Sequence, residues 1–180
     1  GGDLAITSDD LFSLRKLSKD ELQGQHANGS GRILIVGGSY VALECAGFLT
    51  EIGVEVDVMY RSLLLRGFDR DMASRIESSM ILRGTRFLAA VPTSIKRTDD
   101  GCFEVTSRES TNDRVDKPAE KKGKYDLVLS AVGRYADTSS MGLTSAGVET
   151  EPSTGKILCD RYEKTSAENM YVRMLCIQHL

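Results

Sequence analysis

The stretch "GGSYVALECAGFLTEIGVEVDVMYRSLLLRG", Gly37 to Gly67, decides the fold. Just before it, Arg32 to Val36 is a continuous apolar run, the pattern of a strand buried on both faces of a parallel sheet. A glycine turn follows at Gly37-Gly38-Ser39. From Tyr40 to Ile52, Val41, Cys45, Phe48, Leu49 and Ile52 recur at helical spacing. Gly53 stands where a helix C′ residue would, and Val54 to Tyr60 reads as a second strand. Strand, glycine turn, helix and strand make one βαβ unit.

The turn resembles a dinucleotide fingerprint, G-x-G-x-x-G/A, as Gly37-Gly38-Ser39-Tyr40-Val41-Ala42. A pyrophosphate needs close backbone approach, amides aimed at it and the positive end of a helix dipole. Ser39 replaces the middle glycine. It is small enough for close approach, and its hydroxyl can donate to phosphate.

The end of the second strand selects the nucleotide. NAD sites place an acid there for the ribose 2′-hydroxyl. This chain has Arg61-Ser62 and then Arg66. Guanidinium groups form paired, charge-assisted bonds to a 2′-phosphate. At roughly 1.5–3 kcal/mol each, two of them predict a preference for NADPH over NADH of tens- to hundreds-fold or more. Tyr40 and Glu44, four apart, share one helix face near its start. A carboxylate there can accept from a nicotinamide carboxamide, and a tyrosine can cover the ring's site. A surface Glu and a packing Tyr satisfy the same spacing.

Beyond this unit, Ser8-Asp9-Asp10 with Leu11, Phe12 and Leu14 predicts a short capped helix. The polar run Arg15 to Gly31, with His26, reads as a surface loop or partly helical insertion. Asp69 to Leu82 predicts a helix capped by Asp69 and closed by Gly84. Thr85 to Leu88 reads as a third parallel strand. Thr93 to Lys96 and Cys102 to Ser107 read as two short strands, with a hairpin turn at Asp99-Asp100-Gly101. The charged run Arg108 to Lys124 predicts an exposed, mobile loop. Tyr125 to Val132 predicts a strand, as do Ile157-Leu158 and Met170 to Val172.

The whole chain has 180 residues, enough to bury roughly 70% of its unfolded surface. A net charge of −3 argues against a nucleic-acid partner, and the absence of Trp argues against base-stacking platforms. No apolar run approaches the ~20 residues of a membrane span, so no membrane partner is expected. "GGDLAITSDDLF" is not a signal peptide, so a cytoplasmic, reducing setting is expected. The chain starts at Gly1 rather than Met, as expected of a piece of a longer protein. Cys45, Cys102, Cys159 and Cys176 form no close pair, which predicts unreactive thiols and no metal site. Cys45 lies on the helical stripe, where packing accounts for it.

"ITSDDLFSL", "VGGSYVALECAGFL" and "RSLLLRGFDRDMA" together resemble the NADPH-binding domain of the large, flavin-containing thioredoxin reductases. These belong to the pyridine nucleotide–disulfide oxidoreductases. The resemblance extends to "SAVGR" and "MGLTSAGVETEPSTGKILCD" and runs from about Ile6 to Val172. It implies an α/β, Rossmann-like FAD/NAD(P)-binding three-layer fold. That fold has a central parallel sheet, helices on both sides and a small antiparallel β-meander crossover. It implies a connecting segment at 1–31, an NADP(H)-binding domain at 32–172 and an atypical tail at 173–180.

The resemblance also implies roles. Gly37, Gly38, Ser39, Tyr40 and Val41 would form the phosphate loop, with Tyr40 gating the nicotinamide pocket. Glu44 would hold nicotinamide, and Arg61, Ser62 and Arg66 the 2′-phosphate. Ala131, Val132, Gly133 and Arg134 would line the cofactor cleft. In the parent enzyme NADPH reduces FAD, then a C-x-x-x-x-C disulfide and thioredoxin. This chain contains one dinucleotide loop and no C-x-x-x-x-C pair. His179 lacks the family's following proline and reads as a tail residue. After Asn169-Met170-Tyr171-Val172 there is no Gly-Asp to meet flavin. By itself the chain is expected to bind NADPH, to turn nothing over and to be monomeric, whereas the parent would be a homodimer. Alternatives are the NADP(H)-binding portion of a glutathione-reductase-like enzyme and a standalone nucleotide-binding regulatory module.

Overall fold

β1 (Arg32–Val36) is paired in parallel on both edges, with β2 (Glu55–Tyr60) on one side and β6 (Leu127–Ser130) on the other. The computed structural model describes residues 1–14, 31–110, 120–134, 136–173 and 177–179. His26, nearly all of the polar run around it and Cys176 lie outside these residues. The chain divides into two units, Gly1–Gly133 and Arg134–Leu180.

The first unit holds a six-stranded sheet in the order β5-β4-β3-β2-β1-β6. Between β1 and β2 runs α2 (Tyr40–Glu51), and between β2 and β3 (Arg86–Arg97) runs α3 (Arg70–Leu82). The short α1 (Ser8–Leu11) precedes them. It begins one residue earlier than the Ser8 signal suggests. The Asp10 carboxylate accepts from the Thr7 amide at 2.8 Å and the Thr7 hydroxyl at 2.9 Å, which lowers the Asp10 pKa.

Alternation along the central strands sorts them into two cores. Ile33, Ile35, Val56, Val58 and Leu129 pack with Ala42, Cys45, Ala46 and Leu49 of α2 and Ala73 of α3. Leu34, Val36, Met59 and Val128 pack with Ala90, Val105 and Tyr125. Each buried Ile, Leu, Val or Met among these stabilises the fold by about 1.5–3 kcal/mol relative to exposure. On the second face the antiparallel meander packs through Ala90, Val105 and Tyr125 on Leu34, Val36, Met59 and Val128, and among the described residues no helix contributes a buried side chain to this core.

Helix α2 ends at Gly53, where φ is +87° and the Val54 amide returns to the Leu49 carbonyl at 3.0 Å. Its buried stripe is Ala42, Leu43, Cys45, Ala46 and Leu49; Phe48 and Ile52, read as part of it, are exposed. Phe48 instead meets Phe12 in a tilted ring pair, centroids 5.5 Å apart and planes at 47°. Helix α3 is capped as expected: the Asp69 carboxylate accepts from the Met72 amide at 2.9 Å.

Three other expectations needed revision. Thr85–Leu88 and Thr93–Lys96 are not separate strands but parts of β3 and the residue before it. The first part of β3 pairs in parallel with β2, and the rest pairs antiparallel with β4 (Phe103–Glu109). Within β3 the pairing with β4 shifts register between Pro92 and Ser94, a place in an edge pairing where a residue without an N–H is tolerated. Residues 120–124, read as loop, belong to β5 (Glu120–Tyr125). The Lys side chains there pair with β4 carboxylates, Lys121 with Glu109 and Lys122 with Glu104, so the charge that suggested a loop is balanced across strands. The strand read from Tyr125 to Val132 is interrupted at Asp126, whose carboxylate accepts from the Arg32 amide at 2.9 Å.

In the second unit β7 (Ile157–Cys159) pairs in parallel with β8 (Ile177–His179). Met170 to Val172 forms no strand and contributes one bridge, Lys164 to Tyr171. Asp160 organises the turn between them by accepting from the amides of Tyr162 at 2.8 Å and Lys164 at 3.0 Å. Thr138 donates to the Gly155 carbonyl at 2.6 Å. Among the described residues no helix is long and apolar enough to cross a membrane, and no cluster of His, Cys, Asp or Glu could hold a metal ion.

Candidate functional site

The carboxyl ends of β1, β2 and β6 open onto a cavity of about 610 Å³. Gly37 leaves β1 with φ +141°, a conformation that favours glycine. A Cβ there would run into the Ala131 carbonyl group, so the turn has room for backbone only. The Gly37 amide donates to the Met59 carbonyl at 2.9 Å and the Ala131 amide to the Val36 carbonyl at 2.8 Å. These bonds hold the ends of three parallel strands together at the cavity floor.

Ser39 is the N-cap of α2. Its hydroxyl points to the Ala131 carbonyl at 3.4 Å, a long contact that leaves the group available to a better acceptor. The first helical bond runs from the Leu43 amide to the Ser39 carbonyl at 3.2 Å. A helix's first-turn amides have no acceptor within the helix, and this turn begins at the cavity wall. Backbone donors and the positive end of the helix dipole are thus concentrated there.

Opposite the glycine turn stands the loop after β2. Arg61, Ser62, Leu63, Leu65, Arg66 and Phe68 all line the same cavity. Arg66 donates to the Ser62 hydroxyl at 2.6 Å. The Arg61 carbonyl accepts from the Ser110 hydroxyl, which anchors the start of the loop to the end of β4. The Leu65 amide donates to the Gly38 carbonyl at 2.7 Å, joining the arginine loop to the glycine turn. Among the described residues no Asp or Glu lines this cavity, and neither Arg61 nor Arg66 is paired with a carboxylate. Two guanidinium groups thus stand beside a helix N-terminus, an arrangement whose positive potential favours anions.

The sequence-predicted residues separate into groups. Gly37, Gly38, Ser39, Tyr40, Arg61, Ser62, Arg66, Ala131 and Val132 surround the cavity. Val41 and Glu44 line a different hollow, of about 430 Å³, with Ser8, Asp9, Phe12 and Cys45. Gly133 is exposed, and Arg134 opens the second unit. Sequence reasoning missed Leu65 and Phe68 in the arginine loop and Ala90 to Pro92 of β3, which complete the wall. Only the Leu-Leu-Leu run inside an arginine-flanked loop hinted that this segment packs rather than waves in solvent.

Cys45, Cys102 and Cys159 are buried thiols, and burial raises the pKa of each. They therefore stay protonated near neutral pH and are poor nucleophiles.

Residues 3–173 match the family described as "Pyridine nucleotide-disulphide oxidoreductase", and the chain belongs to that family of oxidoreductases. It is 38% identical over 170 residues to thioredoxin reductase SEP1 of Emiliania huxleyi, an alignment covering 94% of this chain and 30% of that protein. Among solved structures it is similar to the Cu(II) complex of the HOCl-induced flavoprotein disulfide reductase RclA from Escherichia coli. That match has a TM-score of 0.70 at 22% identity and covers 93% of this chain and 33% of the other. A cysteine-to-serine variant of RclA gives the same TM-score at 24% identity. These likenesses establish the Rossmann-like α/β fold. The chain spans about a third or less of the length of these relatives.

Proposed function

We propose that this chain is the NADP(H)-binding portion of a thioredoxin-reductase-type flavoprotein disulfide reductase. The observation that carries the reading is the pair Arg61 and Arg66, with no carboxylate partner among the described residues, facing one cavity with the glycine turn. The glycine turn and first turn of α2 would hold the pyrophosphate through Gly37, Gly38, Ser39 and Tyr40. Arg61, Ser62 and Arg66 would hold the 2′-phosphate through charge-assisted bonds. Glu44, in the neighbouring hollow with Val41, would accept from the nicotinamide carboxamide, and Tyr40 would cover that ring. Ala131, Val132, Gly133 and Arg134 would flank the coenzyme.

When bound, the coenzyme supplies hydride, and in the parent the flavin carries the redox chemistry onward. The residues of this chain bind and orient; none is needed as a nucleophile or base. Segment 32–172 would be the coenzyme-binding body, with 1–31 as its connection and 173–180 as a tail. FAD, the redox disulfide and thioredoxin would be engaged by other parts of a longer, dimeric parent. The identity to SEP1 supports thioredoxin as the parent's disulfide substrate.

Calorimetric titration of the 180-residue chain with NADPH and NADH tests the reading. NADPH is expected to bind tens-fold or more tightly than NADH, from about 1.5–3 kcal/mol per charge-assisted contact. Equal affinities would overturn the assignment of Arg61 and Arg66. NADPH-dependent disulfide reduction by the pure chain would overturn the claim that it orients without turning over.

A further inference from the structure

We infer that Arg70 is a positioning residue for coenzyme choice, acting through the backbone of the arginine loop and not through the ligand. This rests on the NADP(H) reading above. Arg70 is the first residue of α3 and does not line the coenzyme cavity. It lies behind the loop, in a small hollow shared with Tyr60, Leu64 and Glu77. From there its Nη2 donates to the Leu64 carbonyl and to the Leu65 carbonyl, both at 2.8 Å. Its Nε donates to the Phe68 carbonyl at 3.3 Å. One guanidinium thus holds three carbonyls that bracket Arg66.

The loop needs such a clamp. Leu65 is held at φ +49°, in the left-handed region that a branched side chain rarely occupies. The next residues form a tight turn, with the Phe68 amide donating to the Leu65 carbonyl at 3.0 Å and Gly67 at φ +89°. Arg66 sits at the tip of that turn. Its direction is therefore fixed by backbone that would relax without compensation. The Leu65 amide also donates to the Gly38 carbonyl, so the same clamp sets the distance between the phosphate-directed arginines and the glycine turn. Lysine cannot replace the group fully, because its single nitrogen can meet the two carbonyls that Nη2 holds but not also the Phe68 carbonyl that Nε, a separate atom, holds.

The test titrates the 180-residue chain and its Arg70→Ala and Arg70→Lys variants with NADPH and with NADH. It also follows hydrogen exchange at the Leu65 amide in the absence of nucleotide. Arg70→Ala is expected to weaken NADPH about tenfold and NADH less than about threefold, the size of losing one well-placed charged contact. The Leu65 amide is expected to exchange faster, and Arg70→Lys to recover part of the NADPH affinity. A parallel loss for both coenzymes would mean a general structural role and overturn the inference. So would an unchanged NADPH preference with Leu65 still protected. If the unsubstituted chain has no preference for NADPH, the reading of Arg61 and Arg66 fails, and the role of Arg70 in coenzyme choice fails with it. A preference present in the parent chain and kept in Arg70→Ala sinks the clamp alone. Should Arg70→Ala not fold, Arg70→Lys carries the same comparison.

Discussion

Strand β2 carries arginine chemistry near both of its ends, and the two ends treat it differently. Toward its start, Asp57 is buried and accepts from Arg86 at 2.5 Å and from the Tyr125 hydroxyl at 2.9 Å. Every charge there has a partner within the fold. Just past its other end, Arg61 and Arg66 face a cavity with a serine hydroxyl and, among the described residues, no acid. The first cluster is closed and ties β2, β3 and β5 together. The second opens onto the cavity. On the function proposed above, the difference would separate arginines that hold the fold from arginines that hold a ligand, although both kinds look alike in a sequence.

That contrast can be broken most forcefully at the open end. An Arg61→Ala, Arg66→Ala double variant should weaken NADPH by about a hundredfold or more and NADH by less than about threefold, since only the former carries the 2′-phosphate. Its unfolding free energy should barely change. A matching loss for NADH by calorimetry would show that these side chains support the loop instead of the ligand.

The closed end should behave in the opposite way. Asp57→Asn is expected to cost about 2 kcal/mol of stability in urea unfolding, because it strips the anion from Arg86 and changes the partner of Tyr125. Arg86 is half-exposed and can turn toward water, which keeps the cost below that of a fully buried pair. The ratio of NADPH to NADH affinity should be unaltered. A shifted ratio would mean that the two clusters communicate through β2.

Gly37→Ala sharpens the comparison from a third side. Its added carbon meets the Ala131 carbonyl group, so the turn must shift. Both coenzymes should weaken, by about tenfold each, because the displaced backbone serves the pyrophosphate they share. A selective effect on NADPH would contradict the division of labour between the glycine turn and the arginine loop.

The smallest expected effect is at Tyr125. Burial first, and then the Asp57 charge, raise its pKa above the ordinary value near 10. A raised folded-state value means that the folded chain keeps the proton longer than the unfolded chain. Its contribution is therefore complete below about pH 10 and lost as the pH rises further. Tyr125→Phe should cost about 1 kcal/mol at neutral pH, and the difference from the unsubstituted chain should shrink in more alkaline buffer. Urea unfolding at neutral and alkaline pH checks this, and a constant difference would count against it.

Much of this architecture is legible in local sequence because its signals are local. The continuous apolar run Ile33 to Val36, Gly53 and the Asp69 cap each reflect local chemistry, and each is realised. The errors arise where distant pairing overrides composition. Lys121 and Lys122 read as loop residues until the sheet brings Glu109 and Glu104, their diagonal neighbours on β4, within ion-pair reach. Thr85–Leu88 and Thr93–Lys96 look like separate strands until β4 pairs along the second half of a continuous β3. At the site, the glycine turn and both arginines can be read from spacing along the βαβ unit. Arg70 cannot: a cation in the first turn of a helix reads as surface, and only the fold brings three carbonyls of the preceding loop around it. The separation of Glu44 from the main cavity is likewise invisible to spacing, which places it only on a helix face.

The most direct measurement is a crystal structure of this chain soaked with NADPH. The account predicts the 2′-phosphate within hydrogen-bond distance of the Arg61 and Arg66 side chains, with the pyrophosphate against Gly37 to Tyr40. Clear density for the adenosine end lying away from both guanidinium groups would contradict it.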